Sequence, residues 1–297
     1  FGNLYWQTVK IATGRIEESL AQVLLKCRYE TTVFFPLPRT FSDVDDIFYP
    51  SAGFQNYIDM RDMDILDFRA RDNRYYDQAL GLLTKLKKRA PQFIYVQTQL
   101  VHAPYDDRPV ADVDLGKGDA ANDPDVNEYI RRLAIAQKDY GDFVSSLKQY
   151  LPDRNILIMR YGDHQPPLMA RFFGKESKEL KEFQQALTAT ARTDDPLRKR
   201  YRLPRFMTFF ATQGVNFEPR PLPDQPITST TYLPALTLVA AGLPLPESYK
   251  ERMRFYSACK GQYFTCDRQD DILKFHRRLI DSGLFMGKPT SPPLAVN

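Results

Sequence analysis

The chain has 297 residues, of which 43% are hydrophobic, 26% charged and 13% aromatic, a composition that excludes a disordered chain, a collagen-like repeat and an extended coiled coil. Its 41 basic and 37 acidic residues leave a formal charge of +4, too near balance to require a polyanion, so no nucleic-acid partner is expected. The longest apolar run, Leu236 to Leu245, is interrupted by Gly242 and Pro244 and falls short of the roughly 18 to 20 residues of a membrane span.

The sequence opens at Phe1 without an initiator methionine, a basic flank or a signal-type apolar stretch, and is expected to be a piece of something longer. Ile16, Leu20, Val23, Leu24 and Cys27 recur at helical spacing, which puts Cys27 on a buried face, and Thr31 to Phe35 reads as a buried strand. Pro36 to Phe68 reads as irregular and aromatic. Asp72 is placed to cap a helix with Tyr76, Leu80, Leu83 and Leu86 on its apolar side, and Phe93 to Leu100 is a second strand. Val101 to Pro124, rich in Asp, Gly and Pro, is a surface excursion of the kind that carries function. Val126, Ile130, Leu133, Tyr140, Val144 and Leu147 then trace a long amphipathic helix, which Pro152 and Asp153 turn into a strand over Ile156 to Met159. Lys175 to Arg200 is charged and partly helical, Phe206 to Ala211 is a fourth strand-like run, and Thr228 to Ala241 is a helix ended by Gly242. In CKGQYFTC a turn could bring Cys259 and Cys266 together, which suits an oxidising compartment.

Helices alternating with short apolar strands predict an α/β fold whose largely parallel sheet is covered on both faces. In such sheets chemistry gathers beyond the carboxyl ends of the strands. Of the three histidines in the chain, two stand there: His102 in VHAPY and His164 in YGDHQPP. Asp163 adjoins His164, and Gly162 before them allows a sharp turn that brings both side chains to one small volume. A carboxylate beside an imidazole suits zinc or manganese, and the donor types do not choose between the two. The same pair also suits a hydrogen-bonded turn without a metal. His276, in ILKFHRRLI, has no ligand-type neighbour at the right spacing and reads as structural. No Gly-rich phosphate loop follows any strand, which sets a nucleotide-binding protein aside.

The runs FIYVQTQLVHAPY and NILIMRYGDHQPP resemble, in order and strand context, two motifs of the sulfatase-like branch of the alkaline phosphatase superfamily. Within it, the resemblance is to the lipoteichoic-acid-synthase-like phosphoglycerol and phosphoethanolamine transferases. SLAQVLLKCRYETTVFFP, FYPSAGFQNYID, RFMTFFATQGVNF and TYLPALTLVAAGLPLP are similar to further segments of that family. The resemblance implies a three-layer α/β/α sandwich with a largely parallel central sheet, alkaline-phosphatase-like. Residues 1–297 would form a single domain that lacks its N-terminal strand, its nucleophile segment and any membrane anchor.

Carried over residue by residue, the resemblance implies that Asp163 and His164 bind a divalent metal, zinc or manganese, and that His102 contacts phosphoryl or sulfuryl oxygens. Arg39 and Tyr105 are candidates for substrate contacts. The family also needs a Thr nucleophile and an acidic ligand near its first strand, and neither has a clear match. Thr8 in YWQTVK follows a Trp, but the helix equivalent to Arg15 to Cys27 lies much further downstream in family members, so the nucleophile is expected upstream of Phe1. The implied activity is transfer or hydrolysis of phosphate or sulfate esters of lipid head groups or envelope glycans. A Thr alkoxide would attack in line and a second acceptor would discharge the covalent phospho-threonine. The implied location is extracytoplasmic, with membrane attachment only through a segment absent here. The alternative is a noncatalytic relative that keeps the fold and binds an anionic glycan or a protein partner, a reading favoured by the missing nucleophile.

Overall fold

The computed structural model of the chain describes residues 11–41, 45–86, 90–110, 123–166, 168 and 208–286. Thr8 and the expected partly helical segment Lys175 to Arg200 lie outside the described residues. The first helix, α1 (Leu20–Lys26), begins at Ser19, whose hydroxyl accepts from Gln22 N at 3.1 Å while the Gln22 side chain accepts from Ser19 N at 3.0 Å. This reciprocal cap starts the helix later than the apolar spacing suggests. Ile16 instead forms an isolated bridge with Phe285. Cys27, expected to be buried, is exposed, because the helix ends on it and Arg28 turns away with φ 64°.

β1 (Glu30–Phe34) is flanked in parallel by β2 (Asn56–Ile58) on one side and β3 (Gln92–Val96) on the other. Both β2 and the short helix α2 (Asp45–Ser51) fall in the stretch expected to be irregular. A seven-residue helix with Pro50 in its last turn and a three-residue strand are too short to show a period. They are held by aromatic packing instead, with Tyr49 stacked on Tyr57 at 5.3 Å and both rings against Phe35.

After β1 and β2 come α3 (Asn73–Lys85), β3, α4 (Pro124–Tyr150) and β4 (Ile156–Tyr161). Asp123 starts α4 by accepting from the Asp125 and Val126 amides. Asp72 makes no side-chain cap for α3. The N–H of Asn73 is satisfied at 3.2 Å by Asp139 from α4, which leaves the Asp72 carboxyl to turn inward. β5 (Phe210–Val215) pairs antiparallel with β4, four residues later than the expected strand begins, so the sheet layer is mixed. The chain then closes with a 3₁₀ turn at Thr230–Tyr232, α5 (Leu233–Ala241) ended by Gly242 at φ 71°, α6 (Glu247–Ala258) and α7 (Gln269–Asp281). A Cys259–Cys266 disulfide ties the end of α6 to the approach to α7.

The strands lie between two helical layers. On one face Ile94 and Val96 of β3 and Ile156 and Ile158 of β4 all pack near Phe143 of α4. On the other, Phe93 of β3 meets α1 and α5, while Met159 of β4 meets α5, α6 and α7. β3 and β4 therefore occupy one layer, yet among the described residues each has a strand partner on one side only. Every residue of β3 is half-buried, whereas four of five in the doubly flanked β1 are buried.

Candidate functional site

Parallel strands aim their carboxyl ends at one edge of a sheet, and the loops leaving that edge meet there. Phe35 to Arg39 follows β1, Asp59 to Asp62 follows β2, Thr98 to Val110 follows β3 and Gly162 to Pro166 follows β4. The Tyr95 and Tyr161 hydroxyls, from the ends of β3 and β4, lie close enough to affect each other's ionisation. Burial pushes Tyr95 well above the usual phenol range, and the nearby Asp163 carboxylate adds to that shift. Further on, Leu168 packs with Tyr105 and Val126, so the segment after His164 rests on the loop after His102.

Gly162 was expected to supply a sharp turn; its requirement is a close approach. An added Cβ would lie 2.1 Å from Thr208 Oγ1, and the Gly162 amide donates to Phe209 O at 3.1 Å. This contact ties the β4 exit to the chain entering β5. Asp163 Oδ1 then accepts from the His164 amide at 2.8 Å, and its Oδ2 lies 3.3 Å from His164 Nε2. Both side chains are mostly exposed, so the pair adds little to stability.

His164 Nδ1 is 2.9 Å from its neighbour's carbonyl, Gln165 O, and His102 Nδ1 is 2.6 Å from Ala103 O. A carbonyl only accepts, so in both rings Nδ1 carries the proton, and in His164 Nε2 faces the Asp163 carboxylate. That is the arrangement in which an imidazole offers its lone pair to a metal or, once protonated, donates to an anion. Asp163 and His164 thus supply oxygen and nitrogen donors that suit zinc or manganese. Among the described residues no group of three His, Cys, Asp or Glu is disposed to hold a metal ion, so His102 is not brought into a shared ligand set with them.

The two candidate substrate contacts have partners of their own. Arg39 Nη2 donates to Tyr57 O at 2.8 Å and to Asp62 at 2.5 Å, and its guanidinium lies over the Tyr57 ring. Burial alone would raise Asp62, but the Arg39 hydrogen bond and charge together with hydrogen bonds from Asp59 hold the carboxyl below its ordinary value. Tyr105 is buried and donates to Val101 O at 3.0 Å; burial pushes its hydroxyl up to about 12. Neither side chain is disengaged.

Two features of the site escape sequence reading. One is a cleft of about 630 Å³ lined by apolar residues that include Phe41, Met60, Leu66 and Phe68 and by the polar Asp67, Arg69, Gln99 and His102. The other is Asp72, fully buried behind the His102 loop, where it accepts from the Leu100 amide at 3.4 Å and from the Thr98 side chain. Desolvation pushes its carboxyl up to about 7. A lone Asp before an amphipathic helix carries no signal for this inward turn.

A sequence model of the sulfatase family matches residues 3–209, which include both histidine loops. The chain belongs to the sulfatase family. Among solved structures its fold is similar to that of the lipoteichoic acid synthase LtaP from Listeria monocytogenes, at TM-score 0.51 and 22% identity over 72% of this chain and 50% of that one. It is also similar to the Streptococcus pyogenes phosphoglycerol transferase GacH in complex with sn-glycerol-1-phosphate, at TM-score 0.58 and 13% identity, covering 88% and 62% of the two chains. A protein in the alkaline phosphatase superfamily from Vibrio parahaemolyticus gives TM-score 0.51 and 18% identity, with 81% and 55% covered. At these identities the likeness is one of fold. This sulfatase-family chain spans between 50% and 62% of the length of those structures. No curated protein sequence matches it. No helix among the described residues is long and apolar enough to cross a membrane.

Proposed function

We propose that the chain is the larger part of a metal-dependent transferase or hydrolase of phosphate (or sulfate) esters. The observation that carries the reading is the Asp163–His164 pair beyond β4, on a loop that adjoins the one presenting His102 beyond β3. Asp163 and His164 would hold a zinc or manganese ion, which when bound supplies positive charge that screens phosphoryl oxygens and lowers the pKa of a hydroxyl nucleophile. His102 would contact a nonbridging oxygen through Nε2. Because its Nδ1 proton is committed to Ala103 O, the ring donates there only as an imidazolium. Such a donor contributes about 3 kcal/mol to transition-state stabilisation. Arg39 and Tyr105 would shape the site through their loops, with Arg39 the more exposed of the two.

The Thr nucleophile and the remaining metal ligands would come from residues outside those described. A further strand on an edge of β3 or β4, each of which has a strand partner on one side only among the described residues, would suit them. The apolar lining of the cleft that includes His102 supports an amphiphilic substrate, a phospholipid head group with its chain or a lipid-linked envelope glycan. The disulfide supports an extracytoplasmic location, with attachment to the membrane through a segment not among these residues. The second reading is a noncatalytic relative that binds an anionic glycan or a protein partner. It is favoured by the lack of a third metal-type ligand among the described residues.

His164→Ala in the complete protein tests the first reading. Stoichiometric zinc or manganese in the purified wild-type protein, measured by elemental analysis, is expected to be lost in the variant. Equal metal content in both would remove Asp163 and His164 from the assignment, and no metal in either would leave the binder.

A further inference from the structure

The loop that carries His102 is held from below by charged groups, one of which touches His102 itself. Arg132, on α4, is fully buried. Its Nη1 donates to the His102 carbonyl at 2.9 Å, its Nη2 to Asp107 O at 2.9 Å and Oδ1 at 3.0 Å, and its Nε to Glu128 Oε1 at 2.8 Å. The guanidinium also lies 5.3 Å from the centre of the Tyr105 ring. The other supports grip elsewhere: Asp72 holds Leu100, and Arg131 donates to Pro109 O at 2.9 Å and Val110 O at 3.1 Å. Glu128 accepts from both arginines, and Asp107 is shared with Arg69 at 2.5 Å.

We propose that Arg132 is a positioning residue for His102, fixing the peptide that follows the imidazole so that the Ala103 carbonyl stays on Nδ1 and the ring keeps one orientation and tautomer. The physical reason for an arginine is its fork. A planar guanidinium reaches the His102 carbonyl, Asp107 and Glu128 at once in one rigid plane, which neither lysine nor an apolar side chain does. A buried ionic cluster is weak support for stability, since an apolar replacement of the whole group is often neutral. What the apolar replacement cannot do is hold the His102 carbonyl. The meaning of His102 as a phosphoryl contact rests on the function proposed above, but the positioning itself does not.

The test uses the ring-nitrogen NMR spectrum, which is simple because the chain has three histidines. Arg132→Met removes the fork while Glu128 keeps Arg131 and Asp107 keeps Arg69, and Arg132→Lys keeps the charge. In the wild type His102 is expected to show a single Nδ1–H tautomer. In both variants that pattern is expected to be lost, its two nitrogen shifts converging, while His276, hydrogen-bonded to Tyr263 at 2.6 Å, stays as it was and reports an intact fold. An unchanged His102 pattern in a folded variant would overturn the proposal. Should Arg132→Met fail to fold, Arg132→Lys alone decides. These spectra need neither metal nor substrate, so the proposal can fail while the catalytic reading stands, and the reverse.

Discussion

Asp72 is the residue whose charge the fold opposes most strongly. It is fully buried, and the Asp139 carboxylate adds to the desolvation that pushes it up to about 7. Arg71 does not relieve it, because that guanidinium is engaged by Asp139 at 2.7 to 3.0 Å. A carboxyl raised from 3.8 to about 7 binds more protons folded than unfolded at the pH values between. Its contribution to stability is therefore full below the unfolded value and is lost as pH rises through about 7. The loss is roughly 4 kcal/mol for a shift of this size. Asp72→Asn keeps an acceptor for the Leu100 amide without a charge. Its melting temperature is expected to exceed that of the wild type at pH 8.5 and to approach it near pH 5; a constant difference across that range would show that Asp72 does not titrate as its burial dictates. Glu128 runs the other way. Burial would raise it, but its hydrogen bonds from Arg131 and Arg132 hold it low, so what it contributes is lost only as pH falls below the ordinary carboxylate range.

At the scale of elements, the end of the chain is organised by the Cys259–Cys266 disulfide. It closes a loop of seven residues' separation between α6 and α7 and is packed among Tyr232, Tyr256, Tyr263 and Phe275. A loop that short contributes about 2.5 kcal/mol on the chain-entropy account. Thermal melts with and without reductant are expected to differ by several degrees, and superimposable curves would contradict a structural role. The cysteine spacing already pointed to this pair, whereas Cys27 shows the limit of periodicity: helical spacing assigned it a buried face, and the capping geometry at the end of α1 placed it in solvent. α4, with its Asp-Pro start and long apolar stripe, was legible for the same reason that α2 and β2 were not. Long elements repeat their signal, while seven-residue and three-residue elements take theirs from aromatic neighbours distant in sequence. The support of the His102 loop was equally hidden, since Arg131 and Arg132 on a helix with Glu128 one turn earlier read as a solvated charge pair until the loop folds over them.

Across the whole molecule, one strand layer is shared by two groups of helices, and the loops that matter leave from a single edge. The two histidine motifs were visible because each follows an apolar strand, and their adjoining positions follow from Leu168 packing against Tyr105. The strands β3 and β4 were legible as apolar runs, but their half-burial was not, because a strand's burial depends on the neighbours it has in the sheet and leaves no trace in its own residues. The proposed chemistry depends on a cation seated between the β4 loop and the His102 loop. Crystals of the chain grown with zinc, measured at the zinc absorption edge, test this most directly. A strong anomalous peak is expected about 2.0 to 2.2 Å from the Asp163 carboxylate and His164 Nε2, on the side that faces His102. A strongest peak elsewhere, with Asp163 and His164 unliganded, would contradict the assignment and leave a sulfatase-family fold without this metal site.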